Sequence, residues 1–517
     1  EIGNSLSSIS SEELRIVPAF NTQDIIGARV AGVTVLANSG QPGAGGSVRL
    51  RGVNSVSQSN NPIIYVDGVR IYSENGPAAL QARQGTLSFN DIAAEDIERV
   101  EIVKGAAATT LYGTEASGGV IQIFTKRGSA GAPSWDANFG IGANQAGEYG
   151  PSTDATGLFL RQCSGPGLVD TDGKAFVDPT CPAGGSWLRN GLSQKYGLSV
   201  RGGSELFSYS LSGNYSSDDG YIETGNAKIG GFRSNFGFTP HSKLNLTMST
   251  GYTRKNIRWV PDGNNASGFL LNVVRGPFNN YKGGKGECDG ITETCVTNGY
   301  ILDELNFNRA DHFITGVVVN WNTSEKFTNK FAVGYDYVSS DDQSARPFGN
   351  LRSPLGFIWK VDWQHTKLSL DYAGSFRTDL TSGIVSTSSW GGQLFQDRDH
   401  YTRVDGDDFS GPGEPVLGSA ARATVQETDR LKVVNAGLFG QQMFGFSDRL
   451  FLTAGVRVDG NSAFGSDFGL QFYPKVSLAY NLSEANWWPR ASIQTFKLRA
   501  AAGYSGKAPG AFDSQRT

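Results

Sequence analysis

Residues 97–127 read "IERVEIVKGAAATTLYGTEASGGVIQIFTKR": two strand-like runs, RVEIV and VIQIFTK, clasp a glycine-bounded knot of alanines and threonines. A phosphate-binding loop would need the string G-x-x-x-x-G-K-[ST], which the chain lacks. The knot reads instead as scaffold. Small residues stand where the backbone must turn and pack tightly, and Gly105, Gly113, Gly118 and Gly119 supply the turns. Upstream, VTVLA, SVRLRG and PIIYVDGV are further short apolar runs bounded by Gly, Pro or Asn, and each predicts a strand. A capping-box pattern at Ser11 and amphipathic stretches over 22–30 and 91–100 predict short helices among them. Residues 1–131 are therefore expected to form a small α+β domain.

From Trp135 onward the period changes to two, the strand signature. In LFSYSLSGNYS, Phe207, Tyr209, Leu211 and Tyr215 share one face, and Ser208, Ser210, Ser212 and Asn214 the other. In LFLTAGVRVDG, Leu450, Leu452, Ala454, Val456 and Val458 oppose Thr453, Arg457 and Asp459. A soluble sandwich hides its apolar face and charges its outer one. Here the second face is mostly Ser, Thr, Asn and Gly, which suits lipid outside and a wet or plugged lumen within. Residues 132–517 are thus expected to form a transmembrane antiparallel β-barrel.

The connections support this independently. Short turns at 202–205, 239–243, 322–326, 377–382 and 445–448 alternate with longer links near 144–195, 217–228, 258–310, 340–364, 398–430 and 460–471. Outer-membrane barrels keep short turns on the periplasmic rim and long loops outside. About 13 strands are predicted. Single-chain bacterial barrels have an even number, and an open edge in lipid leaves backbone groups unpaired. The chain is therefore expected to be part of a longer barrel, incomplete at its C-terminus.

Composition narrows the function classes. The chain has 517 residues with 68 glycines, a net charge of -4 and only 18% charged residues. Its mean hydropathy is nonetheless negative, at -0.29, so the polarity comes from neutral groups. Nucleic-acid binders carry a basic excess, so that class is set aside. No run of 18 apolar residues predicts a membrane helix, and EIGNSLSSIS has neither the basic start nor the apolar run of a signal peptide. Cys163 with Cys181, and Cys288 with Cys295, form two local pairs in the long-link set. They read as loop disulfides in an oxidising compartment rather than as free thiols or a metal site. His241, His312, His365 and His400 are scattered, and neither G-x-S-x-G nor H-E-x-x-H occurs, so no catalytic residue, metal or cofactor is expected.

The motifs point to one family. VRLRGVNSVSQSNNPIIYVDGVR (48–70) and DIERVEIVKGAAATTLYGTEASGGVIQIFTKRG (96–128) resemble the plug of the SusC/RagA-type TonB-dependent outer-membrane transporters. RVDGNSAFG (457–465), FYPKVSLAYNLSE (472–484) and KLRAAAGYSGK (497–507) are similar to the same family's barrel landmarks. The resemblance implies a plug lodged in a 22-stranded barrel in the outer membrane of a Gram-negative bacterium. It implies uptake of an oligosaccharide or peptide-like nutrient, coupled to the proton-motive force through the TonB–ExbB–ExbD complex. The TonB box would precede residue 1. A SusD-like surface lipoprotein is the implied lid, and membrane lipid and lipopolysaccharide are the implied surroundings. The variant YGTEASGGV lies between this pattern and that of siderophore and cobalamin receptors, which work without a lid and form the alternative.

Two residue sets are expected to carry function. Arg49, Arg51, Glu98, Arg99, Glu101 and Lys104 sit on or beside plug strands, where they must pair with each other or with the wall, and so suit plug gating. Family plugs present their apices after such strands. That places Asn54, Ser57, Gln58, Asn60, Tyr72, Glu74 and Asn75 toward the extracellular mouth as candidate ligand contacts. Their hydroxyl and amide groups suit neutral ligands that both donate and accept hydrogen bonds.

Overall fold

The computed structural model describes residues 5–10, 26–27, 30–37, 39–53, 55, 59–74, 86, 88–104, 112–146, 164–169, 175–177, 188–262, 268–269, 301–350, 353–463, 469–485, 488, 494–504 and 506. The N-terminal part holds β1 (Ser5–Ser10), β2 (Val33–Ala37), β3 (Gly46–Leu50), β4 (Ile63–Val66), β5 (Val69–Ile71), β6 (Ile97–Lys104) and β7 (Val120–Thr125). Five of these form one sheet in the order β1-β6-β7-β4-β5, and β2 pairs with β3. β4 runs parallel to β7, while β6 and β7 are antiparallel. The two runs that flank the knot are thus adjacent central strands. Ile64, Val66, Val100, Ile102, Ile121 and Ile123 close a core with Leu50, Phe89 and Ile92.

The helical component is slighter than the sequence suggests. Only Ile26 and Gly27 of the 22–30 stretch are described as helical. The 91–100 stretch gives 3-10 turns at Ser88–Asp91 and Ala94–Asp96 before β6 begins at Ile97. The helix-favouring AAED segment yields because Ile97, Val100 and Ile102 gain a strand partner and a core. The region around Ser11 lies outside the described residues.

The second part is a single antiparallel sheet. Its strands are β8 (Gly131–Asn144), β11 (Gly191–Gly203), β12 (Phe207–Asp219), β13 (Asn226–His241), β14 (Leu244–Trp259), β15 (Leu305–Asn322), β16 (Phe327–Arg346), β17 (Phe357–Thr381), β18 (Ile384–Phe409), β19 (Ala420–Phe446), β20 (Leu450–Asn461), β21 (Gln471–Asn481) and β22 (Lys497–Gly503). A short hairpin, β9 (Ser164–Val169) with β10 (Ala175–Val177), lies in the first link. The sheet has 13 strands in sequential order, with β8 and β22 at its edges.

Its faces invert the pattern of a soluble protein. On β20, Arg457 and Asp459 are 0% exposed, while Leu452 is 39% and Val456 44% exposed. Trp135, Phe139, Phe232, Tyr252, Val333 and Leu438 are likewise outward and exposed, whereas Asn235, Lys255, His312, Asp336 and Lys367 are inward and buried. This is the arrangement of a lipid-facing wall around a polar interior.

Sequential antiparallel pairing puts alternate links on opposite rims. The short turns 204–206, 242–243, 323–326, 382–383 and 447–449 share one rim. The links 220–225, 260–304, 347–356, 410–419 and 462–470 share the other. Two expected loops are corrected: most of 340–364 and 398–430 is strand. β17, β18 and β19 run 25, 26 and 27 residues, far beyond the 9–11 that cross a membrane, so the wall rises well past the bilayer. One further link, 482–496, falls on the short-turn rim.

Candidate functional site

The site is the junction between the plug and the polar face of the sheet. The plug inserts the β4–β5 hairpin, whose turn is Asp67-Gly68 with φ of 50° and 91°. Asp-Gly is the pair that a tight hairpin turn with positive φ favours. Asp67 also accepts from the Thr125 N–H at 3.0 Å and the Thr125 hydroxyl at 2.5 Å, which ties the turn to β7. The next residue, Val69, seats between two wall glycines. A Cβ at Gly316 would lie 2.2 Å from Val69 Cγ2, and one at Gly334 would lie 2.6 Å from Val69 Cγ1. Only glycine at both positions lets the hairpin approach.

Around this knob runs a buried polar chain. Asp91, from the 3-10 turn Ser88–Asp91, accepts from Lys255 Nζ on β14 at 2.8 Å and meets His312 Nδ1 on β15 at 2.8 Å. His312 Nε2 meets Asp336 Oδ1 on β16 at 2.7 Å, and Asp336 Oδ2 accepts from the Tyr72 N–H at 2.8 Å. The path runs plug, wall, wall, plug, and its charged side chains are at most 4% exposed. Burial alone would raise the Asp91 carboxyl, but the Lys255 charge and the His312 hydrogen bond hold it below its ordinary value. The Tyr72 ring packs against His365 and Trp363, with centroids at 4.3 and 5.2 Å. Burial pushes the Tyr72 phenol well above its ordinary value, with Asp399 and Glu74 adding to the rise.

Other contacts stitch the plug to the wall elsewhere. Asn214 on β12 donates to Asp96 at 2.8 Å, and Asn235 on β13 donates to Thr125 Oγ1 at 2.7 Å and to the Lys126 carbonyl at 2.9 Å. Gln41 donates to the Val260 carbonyl and accepts from the Val260 N–H, both at 2.8 Å. Arg70 pairs with Glu115 and lies over the Phe395 ring at 4.6 Å. Arg457, held by Asp459 at 2.7 Å and Gln393 at 2.7 Å, faces Gly113. A Cβ there would sit 3.0 Å from the guanidinium. Gly119, at φ 90°, and Gly118 would strike Leu50 and the Asn61 carbonyl if they carried a side chain. Gly105 and the residues through 111 lie outside the described residues.

The expected residues fall as follows. Arg99 pairs with Glu101 at 2.8 Å and covers the Phe124 ring at 3.7 Å, so this pair stays within the plug. Lys104 donates to Ser7 Oγ at 2.9 Å and to the Ala31 carbonyl at 2.7 Å, also within the plug. Arg51 and Glu98 are exposed, and Arg49 is half-buried on β3. Asn60 accepts from the Ser55 N–H at 2.8 Å and donates to the Ser55 carbonyl at 2.9 Å, closing its own loop. Glu74 accepts from Ser59 at 2.5 Å and from Asn61 at 3.0 Å. Asn54, Ser57, Gln58 and Asn75, and all four cysteines, Cys163, Cys181, Cys288 and Cys295, lie outside the described residues.

Sequence reasoning missed Asp91, Lys255, His312 and Asp336 as one group. The available signal was a histidine and charged residues on the polar face of period-2 strands, a face that otherwise carries small neutral groups.

Two family models match the chain: TonB-dependent Receptor Plug Domain over residues 1–120, and TonB dependent receptor-like, beta-barrel over 264–517. Among curated relatives, TonB-dependent receptor P26 of Formosa agariphila is 25% identical over 100% of this chain and 52% of its own. TonB-dependent receptor SusC of Bacteroides thetaiotaomicron is 25% identical over 98% of this chain and 52% of its own. The chain thus spans about half the length of these relatives. The solved RagAB peptide transporter shares the fold with a TM-score of 0.75 at 19% identity, over 99% of this chain and 61% of that one.

Proposed function

This chain is a TonB-dependent receptor of the SusC/RagA type, and from that premise we propose that the complete protein imports an oligosaccharide or peptide-like nutrient across the outer membrane of a Gram-negative bacterium. Ligand lands on the extracellular face of the plug and wall. TonB, driven through ExbB and ExbD, then pulls the plug, and a SusD-like lipoprotein closes the mouth. Chemistry on the substrate is no part of the proposal.

The observation that carries this reading is the plug–wall junction. It is held by charged and amide contacts, Asp91 with Lys255 and His312 above all, and by local apolar contacts: Val69 between Gly316 and Gly334, Ile314 against the plug core, and the Tyr72 ring on Trp363. Polar contacts break singly and can be rehydrated one at a time. A broad apolar seam would have to expose its whole area at once. Such a junction suits a plug that stays shut and then yields to a pull.

The test is a reversible lock. Val69→Cys with Gly316→Cys brings two Cβ atoms near the roughly 3.8 Å that a disulfide needs. In full-length receptor, oxidation should abolish nutrient-dependent growth, and reduction should restore it. Uptake that persists through the oxidised lock would end the plug-movement reading. Co-purification of a lipoprotein separates this proposal from a lidless siderophore or cobalamin receptor. For the ligand face, replacing Asn54 and Gln58 with Ala should weaken nutrient binding. Asn60 should stay intact in that variant, since its amide holds Ser55.

A further inference from the structure

The plug meets the wall a second time beside β17–β20. Tyr65 on β4 and Arg70 on β5 are partners across the hairpin, on the face turned away from the core that Ile64 and Val66 enter. The Tyr65 ring lies 5.6 Å from that of Tyr112, and Arg70 is held by Glu115 and the Phe395 ring. On the wall, Asp371 and Gln393 are register partners. Gln393 donates to Asp371 Oδ1 at 2.5 Å and accepts from Arg457 Nη1 at 2.7 Å. The charges of Asp371, Arg70 and Arg457 all act on the Tyr65 phenol, so plug and wall groups share one place.

Four polar atoms of this group have no hydrogen-bond partner among the described residues: Tyr65 Oη, Arg70 Nε, Asp371 Oδ2 and Arg457 Nη2. Tyr65, Arg70 and Arg457 are 5%, 4% and 0% exposed, so bulk water does not serve them. A buried donor or acceptor left unpaired loses its hydration with nothing in return. The β14–β16 sector is different. Both carboxylate oxygens of Asp91 and Asp336 and both ring nitrogens of His312 are bonded there. Parting the plug from β14–β16 therefore breaks complete hydrogen bonds. Parting it from β17–β20 lets four unpaired atoms find partners.

The chemistry of the four atoms states what would satisfy them. Arg70 Nε and Arg457 Nη2 only donate, the ionised Asp371 only accepts, and the Tyr65 hydroxyl does both. The cations Arg70, Arg457 and Lys330 are balanced by Glu115, Asp371 and Asp459. A neutral solute rich in hydroxyl or amide groups offers donors and acceptors together. A charged solute would find no net opposite charge to meet it.

We propose that the nutrient crosses between the plug and β17–β20, and that Tyr65, Arg70, Asp371 and Arg457 are its hydrogen-bonding partners in transit. The proposal rests on the importer reading and deepens it, because the cargo is then neutral and rich in hydroxyl or amide groups. The pull on the plug opens this seam first, and the Asp91 junction yields after it. The four atoms become reachable only once the plug has moved. They act on passage and not on capture at the mouth.

The test uses cells that express full-length receptor, fed an oligosaccharide pool or a tryptic peptide pool as probes. Tyr65→Phe deletes an atom that has no partner in the resting protein. Arg70→Lys keeps the charge beside Glu115 and deletes Nε. Each should slow uptake of the pool that supports growth by about fivefold, the worth of one hydrogen bond. Capture of that pool by purified receptor, read by mass spectrometry, should be unchanged, and hydrogen exchange at 63–66 should not quicken in Tyr65→Phe. Unchanged uptake in both variants, slower uptake with a matching loss of capture, or faster exchange at 63–66 in Tyr65→Phe overturns the transit site. Growth on neither pool ends the importer reading beneath it.

Discussion

Asp91→Asn isolates the charge at the centre of the plug junction. Asparagine keeps the shape, but it leaves the Lys255 ammonium, 4% exposed, without its anion. Removing one partner of a buried pair costs about 3–5 kcal/mol. At about 1.4 kcal/mol per decade, the docked state should weaken by roughly 10²- to 10³-fold or more. The Tyr72 N–H reports on docking, because its acceptor, Asp336, is bonded to His312, which is bonded to Asp91. Hydrogen exchange of full-length receptor should show protection at 63–72 falling by that factor, while peptides in the middle of β16 stay protected. Asp91→Asn with Lys255→Met removes both charges and should recover most of the loss. Acid supplies an independent arm. Asp91 titrates below its ordinary value when docked, so its contribution is complete above pH about 4 and is lost as pH falls through the docked value. Protection at Tyr72, corrected for intrinsic exchange, should therefore drop on acidification in the native receptor and change less in Asp91→Asn. Protection at 63–72 that moves less than threefold in Asp91→Asn would refute the reasoning.

Three further expectations follow from the same geometry. Gly334→Ala drives a methyl into Val69 and Ser369 and should destabilise hairpin docking by about 1–3 kcal/mol; Val69→Ala in the same protein should relieve it, as read by exchange at 69–71. Asp67→Ala removes both acceptors of Thr125 and should cost about 1–3 kcal/mol in chemical unfolding. Asp67→Asn should lose less, since asparagine tolerates positive φ. A membrane-impermeant thiol label should reach Gly411→Cys on intact cells but not Glu325→Cys, because links 410–419 and 323–326 lie on opposite rims; equal labelling would reject the assignment of rims.

The sequence by itself determined the wall, because a strand exposed to two media must alternate. Leu452 and Val456 against Arg457 and Asp459 already distinguish the two faces before any partner strand is known. It marked Gly113, Gly118 and Gly119 as tight turns, since positive φ and missing Cβ atoms are local demands, but it read PIIYVDGV as one strand where the structure turns at Asp67-Gly68 between β4 and β5. It also distinguished the two rims, although β16 to β19 run on where loops were expected, because the backbones of Ser, Asp and Thr there continue the same ladder between neighbouring strands. What only the tertiary structure decided is who meets whom across the lumen. Asp91 is separated from His312 by 221 residues, and Tyr72 from Asp336 by 264. Nothing local in either segment encodes the partner. The charged plug residues most visible in sequence, Arg99, Glu101 and Lys104, found their partners inside the plug. The junction went to residues that look like ordinary strand polarity until the sheet curves and brings four elements to one point.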